Sequence, residues 1–160
     1  MKILVPSISC WILLLAANTA SAFGGTHFTS HVNIGDVHYC MDASLDHGVR
    51  DGDPVYVFKC HGRENQRWTV TQGVGGDSAV VGIDGFCLDV RGASTSPGTP
   101  VQLYKCHFQN NQRFQFPPDG HIKEVGSGKC LAVLSPVADR APIVLDSCQG
   151  SSNQIWHTEH

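Results

Sequence analysis

The sequence is poor in charged residues and has no basic cluster. Only 16% of its 160 residues are Asp, Glu, Lys or Arg, whereas an average soluble domain has about 25%. The formal net charge is −3, and no run of lysine or arginine provides the basic face that nucleic-acid binding requires. The same absence argues against a surface for anionic lipids. We therefore predict neither nucleic acid nor a membrane surface as a partner.

Sustained helical periodicity is missing too. No stretch repeats apolar residues every three or four positions over several turns. Instead, turn-forming segments such as 51–54 and 96–100 separate short apolar segments. Residues 55–58 and 101–104 alternate between two faces, as strands do. The pattern predicts an all-β chain of many short strands.

Long apolar runs are absent except near the amino terminus. Residues 8–17 are almost entirely apolar, Lys2 precedes them, and small residues follow at 20–22. This arrangement is typical of a secretory signal peptide, and the run is shorter than the ~20 residues that a membrane span needs. We expect a signal peptide over residues 1–22, cleavage after Ala22, and a secreted, extracellular protein without a membrane span.

Recognisable catalytic and metal-binding motifs are also missing. The sequence has no nucleophile elbow, no phosphate-binding loop and no His-Glu-x-x-His segment. Thiolate zinc sites use closely spaced cysteine pairs, and this spacing does not occur. We expect no enzymatic activity, no metal and no cofactor.

What the sequence does contain is one pattern written three times. In each copy a cysteine follows a proline by six residues, and a glutamine follows that cysteine by six. The glutamines and the aromatic residues two positions after them are Gln66 and Trp68, Gln112 and Phe114, and Gln154 and Trp156. Agreement at so many positions predicts threefold duplication. We place the repeats at about 36–78, 79–120 and 121–160, after a leader at 23–35.

Six cysteines lie within these repeats, and a seventh, Cys10, lies in the predicted signal peptide. An even number of cysteines in an exported domain predicts a disulfide framework. Because equivalent cysteines should have equivalent partners, each repeat should close on itself. The predicted pairs are Cys40–Cys60, Cys87–Cys106 and Cys130–Cys148.

The Asn-Gln-x-Trp (or Phe) segments and their cysteine spacing resemble the QxW repeats of ricin B-chain-type lectin domains, over about residues 36–159. The resemblance implies an all-β fold, a β-trefoil with pseudo-threefold symmetry, in which Trp68, Phe114 and Trp156 meet in a shared core. It also implies up to three shallow carbohydrate pockets, one in each repeat. The partners would be glycans or glycoconjugates, most often of galactose or N-acetylgalactosamine type.

The second repeat carries all the groups that such a pocket needs. They are Asp89, Gln102, Tyr104, Asn111 and Gln112. We expect Asp89 to accept hydrogen bonds from sugar hydroxyls, Asn111 to supply an amide, and Tyr104 to cover the apolar face of the sugar. Gln112 is expected to support the pocket from behind. The interpretation requires these groups to converge on one exterior hollow that leaves the carboxylate open.

The first repeat carries a partial set. Asp42, Phe58, Asn65 and Gln66 occupy the corresponding positions, whereas Tyr56 stands in place of the glutamine. The change adds bulk and alters one polar contact. We therefore expect a weaker pocket here.

The third repeat departs furthest from the pattern. Ala132 replaces the aspartate, Val144 the glutamine and Asp146 the aromatic residue. Since both the acceptor and the stacking ring are gone, we expect no sugar here. Asn153 and Gln154 would then have a structural role only.

Several points stay open at this stage. The nine histidines show no zinc-type spacing and no evident repetition, although His107 could tune sugar affinity with pH.

Two functions other than a stand-alone lectin are also compatible with the sequence. One is a targeting subunit of a toxin or secreted effector, with residues 23–35 contacting the partner. The other is a trefoil inhibitor that has lost sugar binding.

Overall fold

A computed structural model describes residues 27–159, and their regular structure consists of β-strands and short 3-10 helices. The strands are β1 (His27–Ile34), β2 (Val37–Ala43), β3 (Val55–Lys59), β4 (Trp68–Gln72), β5 (Ser78–Val81), β6 (Cys87–Val90), β7 (Val101–Tyr104), β8 (Phe114–Gln115), β9 (Lys123–Glu124), β10 (Cys130–Val133), β11 (Ala141–Asp146) and β12 (His157–Glu159). The all-β prediction is confirmed. Within this range no helix is long and apolar enough to cross a bilayer.

The strands form a barrel and three hairpins. Antiparallel pairs join β12 to β1, β1 to β4, β4 to β5, β5 to β8 and β8 to β9. The hairpins β2–β3, β6–β7 and β10–β11 also contact one another: β3 pairs with β11, Pro54 bridges to Gln102, and Pro100 bridges to Val144. Each repeat contributes equivalent strands, so the predicted β-trefoil with pseudo-threefold symmetry is confirmed.

The first strand lies in the segment that the sequence analysis assigned to a leader. Strand β1 pairs with β2, β4 and β12, and residue 36 lies in the turn between β1 and β2. The predicted domain start at 36 is therefore wrong, because each repeat needs a barrel strand ahead of its first cysteine. Residues 1–26 lie outside the described residues, so the signal peptide remains a prediction.

The core lies where the hairpins meet the barrel. Trp68, Phe114 and Trp156 belong to one buried hydrophobic cluster, as the resemblance implied. The indole of Trp68 donates to the carbonyl of Met41, and that of Trp156 donates to Leu131, both at 3.0 Å. These bonds satisfy the polar end of each buried indole and fix the two rings at equivalent places.

All three predicted disulfides are present. Cys40–Cys60, Cys87–Cys106 and Cys130–Cys148 have Cα–Cα distances of 5.0, 5.1 and 5.0 Å. Each bond joins the first strand of a hairpin to a cysteine just beyond the second strand. Cys60 directly follows its strand, whereas Cys106 and Cys148 lie two positions after the strand ends. The disulfide thereby fixes the start of the loop that leads to the Asn-Gln pair.

The backbone of Gly82 packs against the ring of Trp68. A Cβ at this position would lie 2.6 Å from Cζ3 and 2.8 Å from Cε3 of Trp68, well inside van der Waals contact. Since the indole is buried and hydrogen-bonded, it has little room to shift. We expect Gly82→Ala to lower the free energy of unfolding by about 2 kcal/mol, measured by urea denaturation.

Gly150→Ala is the matched control, because a Cβ there would have no atom within 4 Å. We expect it to change the free energy of unfolding by less than about 0.5 kcal/mol. Equal stabilities for the two variants would show that the Trp68 ring moves freely, contrary to the packing described above.

Candidate functional site

The predicted residues of the second repeat form one hydrogen-bonded cluster around Asp89. Asp89 on β6 lies opposite Gln102 on β7, and the 3-10 helix Asn110–Gln112 supplies two further amides. Gln102 Nε2 donates to Asp89 Oδ1 at 3.0 Å. Asn111 Nδ2 and Gln112 Nε2 donate to Asp89 Oδ2 at 2.8 and 3.0 Å. Residues distant in the sequence therefore meet at one carboxylate.

Tyr104 stands beside this cluster with an exposed ring. It lies two residues after Gln102 on β7, so both side chains leave the same face of the strand. Its residue surface is 39% exposed, and its ring centroid lies 6.0 Å from that of His107. His107 Nε2 in turn lies 3.4 Å from Asp89 Oδ2. His107 therefore lies beside both the Tyr104 ring and the Asp89 carboxylate.

The carboxylate is less open than expected. The Asp89 side chain is only 3% exposed, because the site's own amides and the His107 imidazole cover it. An ionised carboxylate has about four acceptor positions, and the amides of Gln102, Asn111 and Gln112 occupy three. The expectation of an open acceptor is therefore wrong for this structure, although the expected convergence of groups is present.

Gln112 is fully buried and connects the carboxylate to the backbone. Its Oε1 accepts from the N–H groups of His107 and Phe108 at 2.8 and 3.1 Å, and its Nε2 also donates to the carbonyl of Lys105 at 3.0 Å. Gln66 is equally buried and makes the corresponding contacts in the first repeat. Both glutamines lie behind the pocket and hold its loop, which is the supporting role that the sequence analysis expected of Gln112.

The third repeat keeps this scaffold without the carboxylate. Gln154 Oε1 accepts from the N–H of Gln149 at 2.6 Å, and its Nε2 donates to the carbonyl of Ser147 at 3.0 Å. Asn153 Nδ2 donates to the carbonyl of Val133 at 2.8 Å. The Asn-Gln pair therefore has the expected structural role, which is independent of any sugar site.

The first repeat reproduces most of the Asp89 cluster. Asn65 Nδ2 donates to Asp42 Oδ1 at 2.9 Å, and Gln66 Nε2 donates to Asp42 Oδ2 at 2.8 Å. Burial raises the pKa of the Asp42 carboxyl, although the bonds from Gln66, His61 and Asn65 act in the opposite direction. Phe58 takes the place of Tyr104, with its ring centroid 6.0 Å from that of His61.

Tyr56 changes the edge of this first pocket. The residue is buried, and the guanidinium of Arg140 lies 5.3 Å from its ring centroid. Arg140 also makes two bonds to the Asp46 carboxylate, at 2.7 and 2.8 Å. An aromatic ring under a paired arginine thus replaces the amide that Gln102 supplies in the second repeat.

Two histidines occupy equivalent places in the first two repeats, and the sequence analysis singled out His107 but missed His61. His61 Nε2 lies 3.2 Å from Asp42 Oδ2, just as His107 approaches Asp89. In both rings Nδ1 accepts a backbone N–H two residues later, at 3.2 Å. The neutral ring therefore carries its proton on Nε2, which faces the carboxylate. The conclusion that histidines do not repeat is wrong for this pair, and the shared Cys-His dipeptide was the available signal.

A cavity of about 770 Å³ lies elsewhere, between β4, β12 and the loop before β9. Its described lining includes Phe116, Pro118 and Trp156, together with a pair formed by His121 and Asp119. The His121 ring donates from Nε2 to the backbone carbonyl of Gln149 at 2.9 Å, and this bond raises the pKa of His121. The carboxylate–amide arrangement of the repeats does not occur among these lining residues.

Within residues 27–159, no group of three or more His, Cys, Asp or Glu side chains is suited to hold a metal ion.

Solved structures with the same fold include designed and natural proteins. The designed threefold-symmetric protein ThreeFoil is 27% identical, with a TM-score of 0.76 over 82% of this chain and 96% of its own. An exo-β-1,3-galactanase from Clostridium thermocellum is 26% identical, with a TM-score of 0.75 over 84% of this chain and 30% of its own. The agglutinin from Abrus precatorius is 20% identical, with a TM-score of 0.70 over 89% and 51%.

The chain therefore spans under a third of the galactanase and about half of the agglutinin chain. No curated protein sequence matches it. Two family models do: residues 78–160 match the ricin-type β-trefoil lectin domain, and residues 24–104 match the ricin-type β-trefoil lectin domain-like family. Each match covers about half of the chain, and together they extend over every repeat. The chain belongs to the ricin-type β-trefoil lectin domains, a family of carbohydrate-binding domains.

Proposed function

We propose that the protein is a secreted lectin that binds galactose- or N-acetylgalactosamine-type glycans through the second-repeat pocket. The observation that carries the proposal is the cluster in which three amides orient Asp89 beside the exposed ring of Tyr104. Membership of a lectin family supports a carbohydrate ligand. The three disulfides support an oxidising, extracellular location.

Because the Asp89 carboxylate is covered in this structure, the proposal requires a sugar to displace His107 in order to reach it. The imidazole contact at 3.4 Å is the longest of the four contacts on this carboxylate, whose amide donors lie at 2.8–3.0 Å. The His107 side chain is also 33% exposed, so it has room to swing outward. A hydroxyl donating to an ionised carboxylate at about 2.7 Å forms a stronger bond than this long contact. The amides would hold Asp89 in place during the exchange.

The first-repeat pocket would be a second, weaker site. It keeps Asp42, Asn65 and the ring of Phe58, but lacks the amide on its edge. A shallow pocket with one ring and few hydrogen bonds gives a dissociation constant on the order of 1 mM. Two such sites on one molecule raise the apparent affinity for a surface that carries many copies of the glycan.

Tyr104→Ala tests the assigned pocket without disturbing the cluster behind it. Because the ring is exposed, its removal should leave the melting temperature unchanged. Loss of the stacking surface should weaken galactoside binding by about tenfold, a free-energy loss of roughly 1.4 kcal/mol. Isothermal titration with methyl β-galactoside would measure this change.

Phe58→Ala is the matched control in the first repeat. We expect it to reduce binding to a galactose-coated surface, where both pockets contribute. The affinity of the second-repeat pocket for methyl β-galactoside in isothermal titration should stay unchanged. If Tyr104→Ala bound as wild type and Phe58→Ala did not, the principal site would lie in the first repeat. If the wild-type protein bound no carbohydrate on a glycan array, the inhibitor alternative would replace this proposal.

A further inference from the structure

Phe108 adopts a backbone conformation that bulky residues avoid. Its φ angle is 58°, in the left-handed region where the Cβ of an L-residue crowds the following carbonyl oxygen. The corresponding residue of the first repeat is Gly62, with a φ angle of 70°. The loop after the second cysteine thus has a shape that suits glycine, and the second repeat places a phenylalanine there.

The fold gains little from this ring. Phe108 is 58% exposed, the largest value among the exposed large hydrophobic residues of the described range. It does not belong to the hydrophobic cluster that fills the trefoil core within residues 27–159. Strained residues that the core does not explain tend to occur at functional sites, and exposed apolar rings often mark binding surfaces.

The position of Phe108 connects it to the second-repeat pocket. Its N–H donates to Gln112 Oε1 at 3.1 Å, and Gln112 Nε2 donates to Asp89. The preceding residue, His107, lies against both Asp89 and the ring of Tyr104. Phe108 therefore belongs to the loop that follows Cys106 beside this pocket, outside the groups expected to hold the first sugar unit, and the first repeat has no ring at this place.

We propose that Phe108 is a second aromatic platform, so that the second-repeat pocket takes a glycan of at least two sugar units. Tyr104 would stack on the sugar held by Asp89, and Phe108 would contact the apolar face of the adjoining unit. Every pyranose has such a C–H face, which packs against aromatic rings. The inference rests on the proposed lectin function, and it assigns the pocket an extended ligand that the first repeat, with Gly62, would not favour.

The test compares a monosaccharide with a disaccharide, using methyl β-galactoside and lactose in isothermal titration. Wild-type protein should bind lactose more tightly, and Phe108→Gly should lower lactose affinity roughly fivefold, the effect of losing one stacked ring. The affinity for methyl β-galactoside should not change. Phe108→Tyr keeps a ring and should retain the preference for lactose.

The fold of the variant is checked by its melting temperature. Because glycine accepts a positive φ angle without strain, Phe108→Gly should melt at or above the wild-type temperature. Equal losses for both sugars, or no preference for lactose in the wild-type protein, would overturn the role of Phe108 alone. Failure of the wild-type protein to bind either sugar would overturn the proposed galactoside function together with this inference.

Discussion

Replacing Asp89 with alanine is expected to lower the free energy of unfolding by about 3 kcal/mol, although the residue lies outside the hydrophobic core. Its carboxylate accepts hydrogen bonds from Gln102, Asn111 and Gln112. Removing the acceptor leaves one N–H of each of these buried amides unsatisfied, while Asn111 and Gln112 keep their bonds to the carbonyls of Val90 and Lys105. Three such losses cost far more than one exposed hydrogen bond contributes. Urea denaturation measures the loss, and binding of methyl β-galactoside should disappear in the same variant.

The third repeat supplies the control for this prediction. Ala132 and Val144 lie opposite each other there, in the register that Asp89 and Gln102 occupy in the second repeat. The double variant Asp89→Ala/Gln102→Val copies that arrangement and removes one of the unsatisfied donors. It should therefore recover at least about 1 kcal/mol relative to Asp89→Ala, without recovering sugar binding. If the single variant were as stable as wild type, Asp89 would not organise the site.

The sequence was sufficient for the fold because the repeats constrain it at many positions. Cysteine spacing, the prolines and the Asn-Gln pairs recur together, so one repeat predicts the pairing and strand layout of the others. Strand β1 was missed because no cysteine or Asn-Gln segment marks it. Its membership is visible only once it pairs with β2, β4 and β12.

The residues of the site could be predicted from the sequence, but the solvent exposure of the Asp89 carboxylate could not. Asp89, Gln102 and Asn111 were identifiable from their positions in the repeat, and the structure brings them together. Whether a carboxylate faces solvent depends on which donors reach it, and a one-dimensional pattern does not contain that information. The Cys-His dipeptide already marks His107 and His61 as equivalent, whereas the contact of His107 with Asp89 and the positive φ angle of Phe108 are visible only in three dimensions.

The shared scaffold separates folding from recognition within each repeat. The glutamine holds the loop after the second cysteine in all three repeats, whereas the aspartate is present in only two of them. The anchoring of this loop by the glutamine is therefore a property of the fold, and the side chains placed on the loop and strands would decide whether a sugar can bind. This separation allows the stability and the binding of one repeat to be tested against those of another.

Removing the disulfide of one repeat at a time compares the second and third repeats directly in stability and in binding. Cys87→Ala/Cys106→Ala should lower the free energy of unfolding by about 3 kcal/mol, since the bond closes a loop with a sequence separation of 19 residues. It should also weaken galactoside binding, because Cys106 begins the stretch of backbone that Gln112 holds behind Asp89. Chemical denaturation and isothermal titration on one preparation measure both effects.

Cys130→Ala/Cys148→Ala is the matched control, with a sequence separation of 18 residues in the repeat that lacks the carboxylate. The two loops are nearly equal in length, so the loss of stability should be the same within about 0.5 kcal/mol. Galactoside binding should be unchanged, provided that titration is performed well below the melting temperature. Equal loss of binding in both variants would mean that the disulfides act only through global stability, and that the loop after Cys106 does not shape the pocket.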